Sequence, residues 1–277
     1  MVSMSWKKTR TFPRTQTHQN VVHFLSDWQW VKQIKQALSE NRFCLYLQEI
    51  TPLTTLDYRR FSEVLLRLRT ENNQLISPAR FLGIAEHYNL SSQIEQRVIT
   101  TLFEQLAQAP THILENHRFS INLSPAYLRD ERLFEYIHGQ VSEFELSPDL
   151  ICFEISERLA LENLRLASDV ITDLQTRGYC CALDNCGSNM SSFHYLKYLP
   201  VDYLKISERF IKNMGQDITD KAIVELINYL GQRMGLQVIA KGVENEEIFN
   251  EVKALGLDYA QGYYLCQPNK MNLNRLF

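Results

Sequence analysis

Eight short apolar runs with strand character recur along this chain, and helical stretches separate most of them; that alternation constrains the fold more than any other feature. The runs are FCLYLQ (43–48), FSEVLLRL (61–68), FSINL (119–123), LICFEI (150–155), YCCALD (179–184), DYLKI (202–206), LQVIA (236–240) and DYAQGY (258–263). Between them lie helical patterns such as ENLRLASDVITDLQTRG, DKAIVELINYLGQRMG and NEEIFNEVKALG, each ending near a glycine or polar turn. Strand and helix in alternation imply an α/β fold with a mainly parallel sheet, and eight strands imply a closed (β/α)8 barrel of TIM type. One connection breaks the rule. Only EITPLTTLDYRR joins the first two strands, with threonines, a proline and no helical period. A parallel crossover needs a dozen or more residues, usually with a helix. The expected architecture is therefore a modified barrel whose first strand runs antiparallel to the second.

Residues 1–25 lack periodicity and cluster Lys7, Lys8, Arg10 and Arg14, so they are expected to form a flexible polar and basic extension ahead of one domain, 26–277. The net charge is -3, which argues against DNA, RNA or bulk membrane-surface binding but permits a small anionic ligand held by local charges. No apolar run approaches the roughly 18 residues of a membrane span, and the start has no signal-peptide core. The six cysteines form no C-x-x-C pair, and the seven histidines show no H-x-H or H-E-x-x-H spacing. A reduced, cytoplasmic protein without structural zinc is expected.

Chemistry in such barrels sits at the C-terminal mouth. The polar residues at or near strand ends are Asn122, Glu154, Asp184 with Asn185, Lys205, Lys241 with Glu244, and Gln261; Glu63 lies within the second strand, and Gln48 reaches the same region if the first strand is antiparallel. Three carboxylates and a carboxamide converging on one mouth demand protonation or a cation, and a hard ion such as Mg²⁺ or Mn²⁺ suits an all-oxygen set. Strand-end polar residues also serve as caps. Lys241, in LQVIAKGVENEE, is open to three readings: a catalytic lysine, a surface lysine, or a lysine standing where another residue is expected.

These segments, taken together, resemble the EAL-domain family, the bacterial cyclic di-GMP phosphodiesterases and their degenerate relatives. FCLYLQEITPL resembles F-x-L-x-Y-Q-P-I, EVLLRLR (63–69) stands at E-A-L-L-R, INLSP (121–125) resembles V-N-L-S, and FEISE (153–157) resembles E-I-T-E. LDNCGSNMSSFHYLKYLPVDYLKIS resembles L-D-D-F-G-T-G-Y-S-S followed by L-P-V-D-x-L-K-I-D, VIAKGVEN resembles I-A-E-G-V-E, and AQGYYLCQP resembles x-Q-G-Y-x-x-x-x-P. The resemblance covers residues 28–268. It implies a modified barrel, cyclic di-GMP as substrate, linear pGpG as product, and two divalent ions. Carried over by motif, one ion would use Glu63, Asn122, Glu154 and Asp184. Lys205 would stand beside the water, Arg67 would contact phosphate, Gln48, Glu244 and Gln261 would line the pocket, and Glu157 would steady the loop after the motif aspartates.

The departures fall on catalysis. Asn185 replaces the second aspartate, Lys241 the glutamate of I-A-E-G, Ser207 the last aspartate, Asn189 a glycine and Met190 an aromatic. The second-ion site becomes about three charge units less negative, where one unit at about 4 Å is worth roughly 4 kcal/mol at an effective dielectric near 20. The sequence thus predicts an inactive homologue with at most one weakened Mg or Mn site. Its ligand set would be Gln48, Glu63, Arg67, Asn122, Asp184, Lys205, Lys241, Glu244 and Gln261, and it would act as a cyclic di-GMP receptor with a protein partner. Lys241 would fill the region of the second ion and pair with Asp184 or phosphate. Two alternatives stand beside this: a residual metal-dependent phosphodiesterase, and a protein-interaction module closed by Lys241 and Met190. A homodimer through Ser191–Leu199 is a further expectation from the resemblance.

Overall fold

The structure, a computed structural model, describes residues 25–54, 59–129, 131–189 and 193–273. The expected basic extension and Met190 lie outside the described residues. Helix α1 (Asp27–Ser39) turns Trp30, Ile34 and Ala37 inward. It leads into β1 (Phe43–Pro52), β2 (Arg60–Arg69) and the two-residue β3 (Leu75–Ile76). Then come α2 (Leu82–His87), α3 (Ser91–Leu106), α4 (Thr111–Asn116), β4 (His117–Asn122), α5 (Glu131–Glu143) and β5 (Ile151–Ser156). The second half runs α6 (Glu157–Glu162), α7 (Leu164–Thr176), β6 (Cys180–Cys186), β7 (Tyr203–Ile206), α8 (Glu208–Asn213), α9 (Ile218–Met234), β8 (Gln237–Lys241), α10 (Glu246–Ala254), β9 (Tyr259–Gln261) and β10 (Asn269–Lys270).

β2, β4, β5, β6, β7, β8 and β9 pair in parallel in that order. β1 closes the ring and is antiparallel to both neighbours, β2 and β9. The eight-stranded modified barrel expected from the sequence is the one observed. β1 is longer than the apolar run suggested: Glu49 and Ile50 continue the hairpin ladder opposite Ser62 and Phe61, and Thr51 and Pro52 pair with β9. Ile50 is fully buried there, so burial carries the strand through residues that read as a loop.

Helix boundaries follow local chemistry. Asp217 caps α9 by accepting the N–H groups of Thr219 and Asp220, and Gly235 ends it at φ 73°. Asn245 caps α10 through Ile248 N–H, which fixes the turn just after Glu244. At the lower end of the barrel, Phe61, Tyr203 and Tyr259 pack with ring centroids 5.2–6.2 Å apart. This aromatic floor closes the interior below and leaves the polar residues above it, at the C-terminal mouth.

Candidate active site at the barrel mouth

Strand register brings the mouth together. Gln48 lies opposite Glu63, Asn122 beside Glu154, Ser156 beside Asp184, and Lys241 beside Gln261. Alternation along each strand then points Gln48, Glu63, Glu154, Asp184, Lys205, Lys241 and Gln261 into one volume.

Lys205 is its centre. The side chain is fully buried, and its Nζ lies 2.7 Å from Glu63 Oε2 and 2.5 Å from Glu154 Oε1. Glu63 also accepts Gln261 Nε2 at 2.8 Å and Asn122 Nδ2 at 3.0 Å. Burial alone would raise the Glu63 carboxyl, but Lys205, Lys241 and these hydrogen bonds hold it down to about 2. Burial and the neighbouring Glu63 charge push Glu154 above the usual carboxylate range. Burial works against the Lys205 charge, yet Glu154, Glu63 and Asp184 together keep its pKa raised.

Lys241 forms the second cationic point. Its Nζ lies 2.5 Å from Asp184 Oδ1 and 3.3 Å from Asn185 Oδ1. Asn185 Nδ2 donates to Asp184 Oδ2 at 2.9 Å, so both Asp184 oxygens are engaged. Asn185 sits at φ 58°, a left-handed position that its short polar side chain tolerates. Gly242 follows at φ 79°, and a Cβ there would lie 2.6 Å from Glu208 Cβ, so α8 packs directly against the Lys241 turn.

Other expected residues lie further out. Arg67 is two positions beyond Leu65 on the same face of β2; its Nη1 donates to Leu66 O at 2.8 Å and its guanidinium covers the Tyr46 ring at 5.6 Å. It therefore stands at the rim rather than the floor. Glu244 is exposed and paired with Lys212 at 2.9 Å. Gln48 donates to Cys266 O at 3.1 Å and accepts Gln261 Nε2 at 3.3 Å. Glu157 is fully buried and accepts Gly187 N–H, Asn189 N–H, Asn189 Nδ2 and the Tyr195 hydroxyl. The side chain of Asn189, which stands at a glycine position of the motif, thus adds a hydrogen bond to the loop anchor. Ser207 follows β7, and its N–H bonds Cys186 O.

The open mouth is a cleft of about 310 Å³ lined by Gln48, Glu63, Lys241 and Gln261, and also by Lys212 and Tyr263. The last two are absent from the sequence-based set. Lys212 lies on α8, the helix following β7.

Glu63, Asn122, Glu154 and Asp184 fit one hard divalent ion in part. The donors are all oxygen, and Glu154 Oε2 is buried with no hydrogen-bond partner, an acceptor suited to a cation. Against this, Asp184 is held by Lys241 and Asn185, and among the described residues no three His, Cys, Asp or Glu side chains are gathered as a preformed metal site.

A closed barrel with three carboxylates and two lysines at its C-terminal mouth defines the class: a modified (β/α)8 barrel with a charged mouth. Residues 31–268 match the EAL domain, and the chain belongs to that family. It is similar to the cyclic di-GMP phosphodiesterase PdeB of Shewanella oneidensis, 36% identical over 242 residues that cover 87% of this chain and 28% of that protein. It is also similar to the cyclic di-GMP phosphodiesterase PdeF of Escherichia coli, 34% identical over 87% of this chain and 32% of that protein. The chain thus spans about a third of the length of these curated relatives. Among solved structures, the EAL domain of FimX from Pseudomonas aeruginosa bound to c-di-GMP superimposes with a TM-score of 0.81 at 28% identity, covering 87% of this chain and 97% of that one. The c-di-GMP complex of the PaMucR phosphodiesterase gives 0.81 at 28% identity, covering 87% and 98%.

These relatives correct one expectation. The substitutions at Asn185 and Lys241 predicted a protein that is no enzyme, whereas relatives at 36%, 34% and 30% identity are named phosphodiesterases. The expectation equated the loss of negative charge at the second-ion site with loss of turnover, even with the Lys241 ammonium placed there. No helix among the described residues is long and apolar enough to cross a membrane.

Proposed function

We propose that the mouth binds cyclic di-GMP and hydrolyses one of its phosphodiesters to pGpG, with the Lys241 ammonium standing in place of a second cation. The observation that carries this is the Lys241–Asp184 contact of 2.5 Å beside the Lys205–Glu63–Glu154 cluster. Three carboxylates face two ammonium groups there, so an incoming phosphate meets fixed positive charge instead of an unscreened acidic pocket.

Glu63, Asn122, Glu154 and Asp184 would hold a divalent Mg or Mn ion, which when bound polarises a phosphate oxygen and makes a water more acidic. The chain's own groups do the rest. Lys205 fixes the Glu63 and Glu154 carboxylates and supplies positive charge next to the attacking water. Lys241 turns from Asp184 toward a phosphate oxygen and screens its charge. Gln48, Glu244 and Gln261 line the pocket, and Arg67 guards the rim. Binding to a protein partner would let the liganded state be read. Hydrolysis is tested by following pGpG formation with Mn²⁺ in the intact chain and in Glu63→Gln. The account expects pGpG from the former and at least a 100-fold loss in the latter.

The retained pocket residues also support binding that outlasts turnover, the receptor role. Calorimetry with cyclic di-GMP in the absence of divalent ions tests it: saturable binding supports it, and none at high micromolar ligand sinks it.

A further inference from the structure

Asn122 ends β4 at the mouth, and its Nδ2 donates to Glu63 Oε1 at 3.0 Å. Its side chain is exposed, so packing does not fix the carboxamide; the backbone that carries it has to. Leu123 still follows the sheet, its N–H bonding Glu154 O at 2.9 Å. At Ser124 the support changes. Glu95, on α3, accepts Ser124 N–H at 2.6 Å through Oε1 and the Ser124 hydroxyl at 2.7 Å through Oε2. Ser124 Oγ in turn accepts Ala126 N–H at 3.1 Å, and Tyr127 N–H bonds Ser124 O at 3.1 Å, which turns the chain away from the mouth.

Glu95 is unusual in its partners. It is partly buried, and among the described residues no Lys, Arg or His lies within ion-pair distance of its carboxylate. A carboxylate drawn out of water is costly unless strong hydrogen bonds satisfy it. Here both oxygens are taken up by one serine, two residues beyond Asn122. The helix behind Glu95 is firmly seated, with Ile94, Ile99, Leu102, Phe103 and Leu106 buried. Glu95 thus ties the end of β4 to a fixed part of the outer layer.

We propose that Glu95 is a positioning residue for the mouth: by clamping Ser124 it fixes the end of β4 and aims the Asn122 carboxamide at Glu63. Its effect on turnover rests on the hydrolysis proposed above, whereas the placement of Asn122 is read without turnover.

Nuclear magnetic resonance of the full chain with isotope-labelled asparagine reads that placement. Asn122→Ala identifies the Asn122 side-chain amide pair by its loss. Glu95→Gln keeps the shape but sets an amide N–H₂ against a Ser124 donor, and it should move the Asn122 pair. Ser124→Ala should move it too. The Asn228 pair, bonded to Leu255 O from α9, should stay in place, and Glu104→Gln, on the exposed side of α3, should move neither. Formation of pGpG with Mn²⁺ should fall roughly tenfold in Glu95→Gln. Added to Asn122→Ala, the same change should cost less than about twofold, because the group it positions is gone. Thermal melts confirm the fold of each variant. The proposal is overturned if the Asn122 pair stays in place in Glu95→Gln, if Glu104→Gln moves it as far, or if Glu95→Gln costs as much turnover with Asn122→Ala as alone. A parent that forms no pGpG overturns the hydrolysis instead, and the amide signals then decide the clamp by themselves.

Discussion

Lys241 Nζ lies 2.5 Å from Asp184 Oδ1, and this ion pair joins the ends of β8 and β6 across the barrel mouth. It is made entirely of the chain's own groups, with Lys241 standing where the EAL motif carries a glutamate. Converting the pair back is therefore informative. Lys241→Glu with Asn185→Asp places two more carboxylates beside Glu63, Glu154 and Asp184, and among the described residues Lys205 is the buried ammonium left to balance them. Without divalent ions the variant should melt lower than the parent. With Mn²⁺ the order should reverse, because ion binding stabilises the folded state by mass action. Melting curves with and without Mn²⁺ check this; a variant indifferent to Mn²⁺ contradicts it.

Lys205 holds two carboxylates that have no other cation within ion-pair distance among the described residues. Lys205→Met leaves that charge buried and uncompensated, a change that costs about 3–5 kcal/mol in comparable cases. Denaturant unfolding should show a loss of that size. Turnover, compared at equal folded fraction, should fall by about 100-fold or more, the scale on which removal of a positioned charge acts.

His117 is buried at the foot of β4, stacked on Phe119 with centroids 4.7 Å apart. Burial, then the Arg60 charge, lowers its pKa to about 4. The unfolded chain takes up this proton near the ordinary value of about 6.5, before the folded chain does, so stability falls as the pH drops from about 6.5 toward 4. The contribution reaches roughly 3 kcal/mol at the lower end. His117→Gln should remove that part of the slope. Unfolding free energies of parent and variant from pH 7 to 4 should diverge by this amount; parallel curves refute the assignment.

Gly262 follows Gln261 at the end of β9, and a side chain there would collide with the backbone of Val243. Val243 N–H bonds Gln261 O at 3.0 Å, so the collision falls on the hydrogen bond that seats Gln261. Gly262→Ala should destabilise by about 1–3 kcal/mol. It should also weaken cyclic di-GMP binding by moving Gln261 off Glu63 and Gln48. Calorimetry with the ligand reads this, and an unchanged affinity is the contrary result.

The barrel was legible because strand burial leaves plain apolar runs, and the antiparallel first strand because twelve residues without helical period cannot make a parallel crossover. Most of the mouth was legible from position at strand ends. Lys212 was not: it reaches the cleft from α8, and a lysine on an exposed helix carries no local mark of a pocket. The Lys205–Glu63–Glu154 triad was legible as residues but not as a bonded unit, since register between distant strands decides which carboxylates share a lysine. Asn189 showed as a lost glycine, while its bond to Glu157 depended on how the loop folds back. The charge change at Asn185 and Lys241 was plain in the sequence, and so was the expectation that Lys241 turns inward to Asp184, where the contact is 2.5 Å.

The central claim is that this mouth cleaves cyclic di-GMP with Lys241 in the role of one cation. The most direct measurement is the rate of pGpG formation against Mn²⁺ concentration for the parent chain and for Lys241→Glu with Asn185→Asp. The account predicts a parent that forms pGpG with a simple one-ion saturation curve. The variant should need two ions, show a steeper Mn²⁺ dependence and run about tenfold faster at saturation, a difference of about 1.4 kcal/mol in barrier. A parent that forms no pGpG at any Mn²⁺ concentration, or a variant with the parent's curve, would contradict it.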